Sequence, residues 1–318
     1  MQSAAAASES FGMNTGISYR VYGENSEQAL SYAKSELSRL ESMLSRFIQN
    51  SEISRINMLA GSGRVKINCE TLEILSFALQ LSEISQGLFD ITVAPLMDLW
   101  DYKHSNRVPD NSKIRNAQEK VGFRDLVLDT VNITACLRKP GQSIDLGGIG
   151  KGYASDRCIK VLQDHGVTSA AVNIGGNVST LGNKPDGSEW SVGIRHPRHA
   201  GALIGAVKVT GKAVVTSGDY ERYFIDRKGK RRHHILDPTT GYPAESGLIS
   251  VTVIADSAMT ADALSTLIFV AGMEKGLRYL GCFPDTQAVL VDKRQRVFIT
   301  RELKDRYKAV DGIKANFV

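Results

Sequence analysis

The chain has 318 residues, of which 42% are hydrophobic and 23% are charged, and its net charge is +5 at neutral pH. These values are typical of a globular protein with one large domain or two modest ones. No segment reaches the roughly 18 consecutive apolar residues of a membrane-spanning helix, and the slight charge excludes the dense basic stripe of a nucleic-acid-binding protein. The four cysteines are scattered without a Cys-x-x-Cys pair, which indicates free thiols rather than a zinc site or a disulfide framework.

Apolar periodicity and turn residues predict the helices and strands in chain order. In the first half, the predicted elements are a strand at 17–22, helices at 26–45 and 70–85, strands at 126–128, 133–137 and 143–146, and a helix at 153–165. In the second half they are strands at 170–174, 191–194, 203–209, 213–216, 223–225 and 250–255, helices at 260–271 and through 279, and a hairpin of 288–292 with 297–300. Strands come in runs rather than in strict βαβ alternation, which predicts an α+β fold with a largely antiparallel sheet and packed helices.

No domain boundary stands out, so we expect one intertwined domain over residues 13–318, with a helical subdomain near residues 70–125. Residues 1–12 are mostly small and polar, which predicts a disordered or mature N-terminal tail. This tail lacks the charged and apolar regions of a signal peptide. It therefore indicates either a cytoplasmic protein or a mature terminus to which Met1 was added.

The first candidate for chemistry is the segment 260–266 (TADALST), which opens a helix soon after a strand. Asp262 and Thr266 are four residues apart, so their carboxylate and hydroxyl share one helix face. Oxygen ligands of this kind suit a hard cation such as Mg²⁺. The alternative is structural: Thr260 caps the helix, and Asp262 only adds a negative charge to its first turn.

The second candidate is the glycine-rich segment 143–153 (SIDLGGIGKGY), in which a predicted strand leads into a helix. Its glycines allow the backbone to approach an anion, N–H groups at the helix start can bind a phosphate, and Lys151 adds a positive charge. The segment matches neither a Walker A loop nor the G-x-G-x-x-G pattern of dinucleotide-binding folds. A tight strand-to-helix turn without a ligand is the alternative interpretation.

Two further segments combine aromatic and polar residues. In 87–96 (GLFDITVAPL), Phe89 and Asp90 could grip a flat polar heterocycle, or they could belong to an ordinary strand edge. In 233–243 (HHILDPTTGYP), the Asp-Pro and Thr-Gly pairs indicate a rigid turn that holds His234 at the end of a strand. A histidine in this position is either catalytic or structural. The basic run 227–232 (RKGKRR) predicts a solvent-exposed hairpin tip.

In this order, the segments resemble the FAD:protein FMN transferase (ApbE) family. The resemblance covers almost the whole chain, at 13–19 (MNTGISY), 44–57 (LSRFIQNSEISRIN), 89–100 (FDITVAPLMDLW), 144–156 (IDLGGIGKGYASD), 172–177 (VNIGGN), 190–194 (WSVGI), 234–243 (HILDPTTGYP) and 261–266 (ADALST). It implies an α+β single-domain fold with a magnesium site beside the pyrophosphate of FAD. Two positions depart from the family, because its usual Met-Gly-Thr is Met13-Asn14-Thr15 here and Phe47 stands where Tyr or Asn is often found.

The resemblance also implies roles for individual residues. The metal ligands would be Asp262, Thr266 and the backbone carbonyl of Gly150. Lys151 and the amides of the loop, including that of Gly148, would face the phosphates. The catalytic residues would be His234, Asp262 and Lys151, and His234 would also contact FAD. The residues bordering the flavin or the adenine would be Met13, Phe47, Phe89, Asp90 and Ile91.

Members of this family hydrolyse FAD to FMN and AMP, or transfer FMN to a threonine of an acceptor flavoprotein through a phosphoester. The resemblance therefore predicts a Mg²⁺-dependent transferase with FAD as substrate and with a redox-pump subunit or a flavin-dependent reductase as acceptor. Phe47 is expected to influence the balance between hydrolysis and transfer. The alternatives are a plain FAD pyrophosphatase and a carrier or assembly protein that binds FAD without turnover. A periplasmic or membrane-associated location is expected from the resemblance, with the cytoplasm as the alternative.

Overall fold

The computed structural model describes residues 5–318, and its largest unit is a nine-stranded sheet. The strands in this part of the chain are β1 (Ala5–Gly12), β2 (Thr15–Tyr22), β3 (Val65–Lys66), β4 (Leu126–Asp129), β5 (Thr134–Leu137), β6 (Ser169–Ile174), β7 (Asn177–Leu181), β8 (Trp190–Arg195), β9 (Leu203–Val209), β10 (Ala213–Gly218), β11 (Tyr223–Ile225), β12 (Arg231–His233), β13 (Leu236–Asp237), β14 (Tyr242–Pro243), β15 (Leu248–Ala255), β16 (Gln287–Asp292), β17 (Val297–Ile299), β18 (Tyr307–Ala309) and β19 (Ala315–Phe317). The large sheet has the order β1-β2-β6-β7-β10-β15-β16-β17-β19, and its neighbours are antiparallel except for β17 and β19. The predicted α+β class with a largely antiparallel sheet is confirmed.

The helices in residues 5–318 are α1 (Ser26–Leu44), α2 (Glu52–Met58), α3 (Cys69–Ile84), α4 (Ala94–Trp100), α5 (Asn111–Gln118), α6 (Gly150–Asp164), α7 (Ala258–Ala271) and α8 (Met273–Leu280). Three of them, α1, α6 and α7, cover one face of the large sheet. α1 forms as predicted because Leu30, Ala33, Leu37, Leu40 and Leu44 recur on one side and are all buried. α1, α6 and α7 pack against one another and against the sheet. Judged by length and hydropathy, none of the helices in residues 5–318 could serve as a membrane span.

Strand β15 lies near the centre of the large sheet, and all eight of its residues are buried. Its side chains pack into two hydrophobic clusters, because alternate residues of a strand point to opposite faces of the sheet. Val251 and Val253 join the cluster beneath the helices, whereas Ile254 joins a second cluster with Ile204 and Val207 of the small sheet β18-β9-β8. Only two residues separate β15 from α7, so this well-packed strand determines where α7 begins.

A third and smaller cluster lies between α4, α5 and the short strands that follow β10. It contains Trp100, Ile114, Phe224 and Leu236. Helix α3 contributes its buried side to the main cluster instead. Residues 70–125 are therefore rich in helix, but their helices pack on two different clusters, and the division into a subdomain stays a prediction.

Three local predictions differ from the structure. Residues 143–146 form no regular strand, because the backbone N–H groups of Ile144 and Asp145 donate to the side chain of Asn57 and to the carbonyl of Ile91. Helix α6 begins at Gly150, three residues earlier than predicted. The predicted tail is a strand from residue 5 onward, since β1 pairs with β2 along its whole length. Residues 1–4 of that tail lie outside the described part of the chain.

Candidate active site

Helices α6 and α7 meet at their N-terminal ends, and each donates N–H groups to a carboxylate of the other. Asp262 of α7 accepts a hydrogen bond from Gly152 in the first turn of α6, with Oδ2 2.9 Å from the nitrogen. Asp156 of α6 accepts in return from the N–H groups of Ala258 at 2.6 Å and Met259 at 2.9 Å. Both carboxylates therefore lie where the helix dipole favours negative charge. We call residues 148–156 together with 257–266 the helix junction.

Glycines make the close approach of the two helices possible. A side chain at Gly152 would overlap a backbone carbonyl of α7 and would come within 2.7 Å of Cβ of Asp262. A side chain at Gly148 would lie 3.4 Å from the hydroxyl oxygen of Thr266. The glycine-rich loop thus contacts α7 at two residues one helical turn apart, and Gly150 lies between the two points of contact in the sequence.

The oxygen atoms of the helix junction suit a cation. Asp262 is 2% exposed, and its Oδ1 atom lies 3.5 Å from the ammonium of Lys151, which also donates to the carbonyl of Gly147 at 3.1 Å. The hydroxyl oxygen of Thr266 lies 3.2 Å from that of Ser217. A buried carboxylate that already attracts one positive charge, with a hydroxyl on the same helix face, fits a hard divalent ion. No three His, Cys, Asp or Glu side chains cluster as metal ligands within residues 5–318, so a metal here would also need hydroxyl or carbonyl oxygens.

His234 directly follows β12, beside the two-stranded β11–β12 hairpin. Its backbone N–H donates to the carbonyl of Arg222 at 3.0 Å, and its Nδ1 atom is buried without a hydrogen-bond partner among the described residues. Burial, followed by the positive charges of Arg222, His233 and Lys151, lowers the pKa of His234 to about 3. The imidazole is therefore neutral at neutral pH, and a neutral imidazole has one ring nitrogen that can accept a proton. The influence of Lys151 connects His234 to the helix junction.

Exposed residues adjoin the glycine-rich loop on another side. Phe47 is 70% exposed, and the guanidinium of Arg46 and the ammonium of Lys103 lie 4.8 and 5.4 Å from its ring centre. Arg46 is tied to the loop by an ion pair of 2.9 Å with Asp145. The ammonium of Lys103 also lies 3.4 Å from the side-chain oxygen of Asn14. We call this surface the rim, and its members are residues 13–15, Phe47 and Lys103.

The turn at the rim explains why an asparagine can stand at position 14. Met13 and Asn14 have φ angles of 50° and 61°, and β1 and β2 pair on either side of them, so they form a two-residue hairpin turn. Asparagine is one of the few residues that tolerate this left-handed conformation. The turn is therefore kept, and the amide adds a contact with Lys103.

The residues at 89–91 are buried, with exposed fractions of 4%, 7% and 2%. Phe89 is next to the helix junction, because its ring lies 3.5 Å from the point where a side chain of Gly148 would begin. Asp90 accepts from two backbone N–H groups at 2.7 and 2.9 Å, and the carbonyl of Ile91 accepts from Asp145 at 2.8 Å. Asp90 and Ile91 therefore support the wall behind the glycine-rich loop, and their direct contact with a flavin stays a prediction.

Two residues at this site are absent from the sequence prediction. Asp156 accepts from the hydroxyl of Ser257 at 2.7 Å as well as from two N–H groups of α7; burial raises its pKa, and these hydrogen bonds partly offset the effect. The spacing of Gly152 and Asp156, four residues apart on one face of α6, is the signal that identifies this residue. Ser217 at the end of β10 bonds to the hydroxyl groups of Ser265 and Thr266. It belongs to the polar, glycine-punctuated run 216–222, which the sequence leaves open as a binding loop or a hairpin.

Known proteins with similar sequences and structures agree with one another. The family model described as ApbE family matches residues 13–290. A relative from Klebsiella pneumoniae (strain 342), described as FAD:protein FMN transferase, is 36% identical over 278 residues, which are 87% of this chain and 86% of the relative. A relative of the same description from Treponema pallidum (strain Nichols) is 35% identical over 293 residues, 87% of this chain and 80% of the relative. The crystal structure of an ApbE protein from Thermotoga maritima superimposes with a TM-score of 0.88 at 32% identity, covering 96% of this chain and all (100%) of that one.

Proposed function

The chain belongs to the ApbE family, and from this membership we propose that it is a Mg²⁺-dependent FAD:protein FMN transferase. It would cleave the pyrophosphate of FAD, attach FMN through a phosphoester to a threonine of an acceptor flavoprotein, and release AMP. The helix junction is the observation that supports this most directly, because Asp262, Thr266 and Lys151 converge there at the start of α6. A carboxylate, an ammonium and backbone N–H groups in one place suit a substrate that contains phosphate.

In the proposed reaction, bonds change at the phosphorus on the FMN side of the pyrophosphate. The acceptor threonine oxygen bonds to this phosphorus, the bond from phosphorus to the bridging oxygen breaks, and that oxygen leaves with AMP. The imidazole of His234 is neutral and can accept the threonine proton. The negative charge of bound FAD would raise the pKa of His234 from its low value and strengthen it as a base. Holding the hydroxyl in line with the phosphorus contributes to the rate as well.

Asp262, Thr266 and the backbone carbonyl of Gly150 would hold the magnesium ion, which when bound neutralises charge on the pyrophosphate. Lys151 can leave Asp262 for the phosphate oxygens, since its flexible side chain is partly exposed. The N–H group of Gly152 already donates to Asp262. Phosphate oxygens would therefore bind to the N–H group of Gly148, because those of Gly147, Ile149 and Gly150 donate to Asp145 and Leu146.

At the rim, Met13 and Phe47 would contact the flavin or the adenine, with Phe89 lying deeper and Asp90 and Ile91 behind the loop. The exposed ring of Phe47 can stack against a flat heterocycle, and the two cations near it can attract the phosphates of the same ligand. The proposed acceptors are redox-pump subunits or flavin-dependent reductases. The proposed location is periplasmic or membrane-associated, and cell fractionation would distinguish it from the cytoplasm.

Incubation with FAD and Mg²⁺, with and without an acceptor domain that carries a Ser/Asp-Gly-Ala/Ser-Thr motif, tests the function. We expect AMP release together with a fluorescent flavin band on the acceptor in a denaturing gel. AMP and free FMN without that band would identify a pyrophosphatase, and no AMP would identify a carrier. His234→Ala should reduce transfer more than FAD binding, and equal losses would make His234 a binding residue.

A further inference from the structure

The β11–β12 hairpin concentrates the net charge of the protein. Residues 222–232 (RYFIDRKGKRR) contain six Lys or Arg and one Asp. The net charge of this short segment is therefore +5, the same as that of the whole chain. The rest of the chain therefore carries equal numbers of acidic and basic side chains. Glu245 forms ion pairs with Lys230 and Arg232, so the positive charge that can attract a negatively charged partner comes from the cations without such a pair, which include Arg227 and Lys228 at the tip.

The tip of this hairpin is a defined turn. The Oδ1 atom of Asp226 accepts from the N–H groups of Lys228 and Lys230, both at 2.9 Å, and its Oδ2 atom accepts from Arg232 at 2.9 Å. The hydrogen bond from the backbone of Lys230 is the largest of the effects that lower the pKa of Asp226, so this residue is charged at neutral pH. Arg227 and Lys228 are exposed at this fixed turn, and neither forms an ion pair within residues 5–318.

The outer face of the hairpin mixes apolar and cationic groups. Tyr223 and Ile225 are 44% and 53% exposed, and the guanidinium of Arg231 lies 3.7 Å from the ring centre of Tyr223. Phe224 anchors the other face, because it is buried in one cluster with Trp100. Tyrosine and arginine on a fixed backbone are the residue types that contribute most to protein interfaces.

The hairpin leads directly to His234. Tyr223 pairs with His233, and the N–H of His234 donates to the carbonyl of the residue before β11 at 3.0 Å. Three residue pairs separate this end from the turn, so the tip is about 10 Å farther out at roughly 3.3 Å per residue. A threonine bound beside His234 would therefore have neighbouring residues within reach of Arg227 and Lys228.

We propose that the β11–β12 hairpin is the docking surface for the acceptor protein and binds an acidic segment of the acceptor beside its modified threonine. This inference rests on the proposed transferase function. Charge complementarity identifies the partner, because a segment rich in Asp and Glu would be steered to the hairpin and would associate faster. A nucleic acid or an anionic membrane would bring no threonine to His234. Exposed Tyr223 and Ile225 add an apolar contact of the kind that a protein partner can use.

Two fusions of one carrier protein to the threonine motif test the docking surface, one with acidic residues beside the motif and one with Gln in their place. The wild-type enzyme should label the acidic fusion with a kcat/KM about tenfold higher at low salt, and the ratio should approach one at about 0.5 M NaCl. R227E/K228E should remove this preference, while FAD binding and AMP release without acceptor stay within about twofold of wild type. K304E/R306E makes the same charge change at exposed residues beside β18 and should keep the preference.

Each other outcome overturns the inference in a distinguishable way. Equal labelling of both fusions by the wild type, or a preference that survives in R227E/K228E, would remove the docking surface and leave the transferase function intact. Release of AMP by the wild type without labelling of either fusion would remove both. Unchanged preference together with loss of binding to phosphatidylglycerol vesicles in R227E/K228E would assign the hairpin to a membrane surface instead.

Discussion

The helix junction and the rim differ in how firmly their side chains are held. Asp262 is 2% exposed and bonds to the opposite helix, whereas Phe47 is 70% exposed and its ring lies near the cations of Arg46 and Lys103. A substrate therefore meets a prebuilt arrangement at the helix junction and an adaptable surface at the rim. From this difference we expect the proposed reaction at the pyrophosphate to depend on the preorganised groups of the helix junction, and the exposed residues of the rim to influence which products form.

The helix junction is also cooperative in a way that the rim is not. A buried carboxylate is costly unless it is paired or hydrogen-bonded. Asp156 of α6 accepts from N–H groups at the start of α7, and Asp262 of α7 accepts from an N–H group at the start of α6. Loss of one carboxylate leaves N–H groups of a helix start without an acceptor. Changes at the helix junction should therefore affect activity strongly, and changes at the rim should mainly alter the ratio of products.

Removal of Asp262 should have the largest effect. Asp262→Ala takes the acceptor from the N–H of Gly152 and from Lys151, and it removes the only carboxylate of the proposed metal ligands. We expect AMP release from FAD to fall about a thousandfold, measured by chromatography in saturating Mg²⁺. Asp256→Ala, which removes an exposed carboxylate just before α7, should retain normal turnover. Near-normal turnover of Asp262→Ala would contradict the metal assignment.

Asp156 should come second, because it acts through Asp262 rather than on the substrate. Asp156→Ala leaves two N–H groups and the hydroxyl of Ser257 without their acceptor, which costs about 1–3 kcal/mol and loosens the start of α7. We expect activity to fall about 10- to 100-fold and the Mg²⁺ concentration for half-maximal AMP release to rise. Asp156→Asn keeps one acceptor oxygen and should recover part of both. An unchanged Mg²⁺ requirement in a folded Asp156→Ala would show that Asp156 has a purely structural role.

The helices and strands of the large sheet show how far prediction from the sequence reaches. Periodicity predicts α1, β15 and most of α7, because their patterns are long and their apolar residues are buried as a group. The start of α6 is predicted three residues late because glycine is a poor helix former, and the acceptor that favours its first turn is Asp262, 110 residues away.

The rim is the least predictable part of the site for the same physical reason. Its contacts join residues far apart in the sequence, such as Asn14 with Lys103, and no local propensity encodes them. The prediction of a strand at 143–146 is wrong for a similar reason. The apolar residues of this segment alternate as in a strand, but its backbone N–H groups donate to Asn57 and Ile91. The residues of the helix junction are identified by their resemblance to a family, and their i, i+4 spacing alone leaves a structural role open.

His234 allows a test of the helix junction through pH. Its pKa is lowered to about 3, below the usual value of about 6.5, so folding favours the neutral form. The resulting stability is present above pH 6.5 and is lost as the pH falls toward 3. We expect kcat/KM for FAD to change less than about twofold between pH 8 and pH 5, and an acid limb near pH 6.5 would contradict this. His234→Gln should lose less thermal stability than the wild type when the pH is lowered from 7 to 4.

The smallest effect should come from Phe47, and it should appear in the ratio of products. Because its ring is exposed, Phe47→Tyr adds a hydroxyl without burying it, and stability should stay within about 0.5 kcal/mol of wild type. We expect the ratio of FMN transfer to FAD hydrolysis to change about two- to threefold, with FAD binding unchanged, when both products are measured in one reaction. Phe317→Tyr, which adds the same hydroxyl to an exposed ring in β19, should leave the ratio unchanged. If both variants shift the ratio equally, or if Phe47→Tyr lowers transfer and hydrolysis together, the rim does not direct the outcome and the contrast with the helix junction is lost.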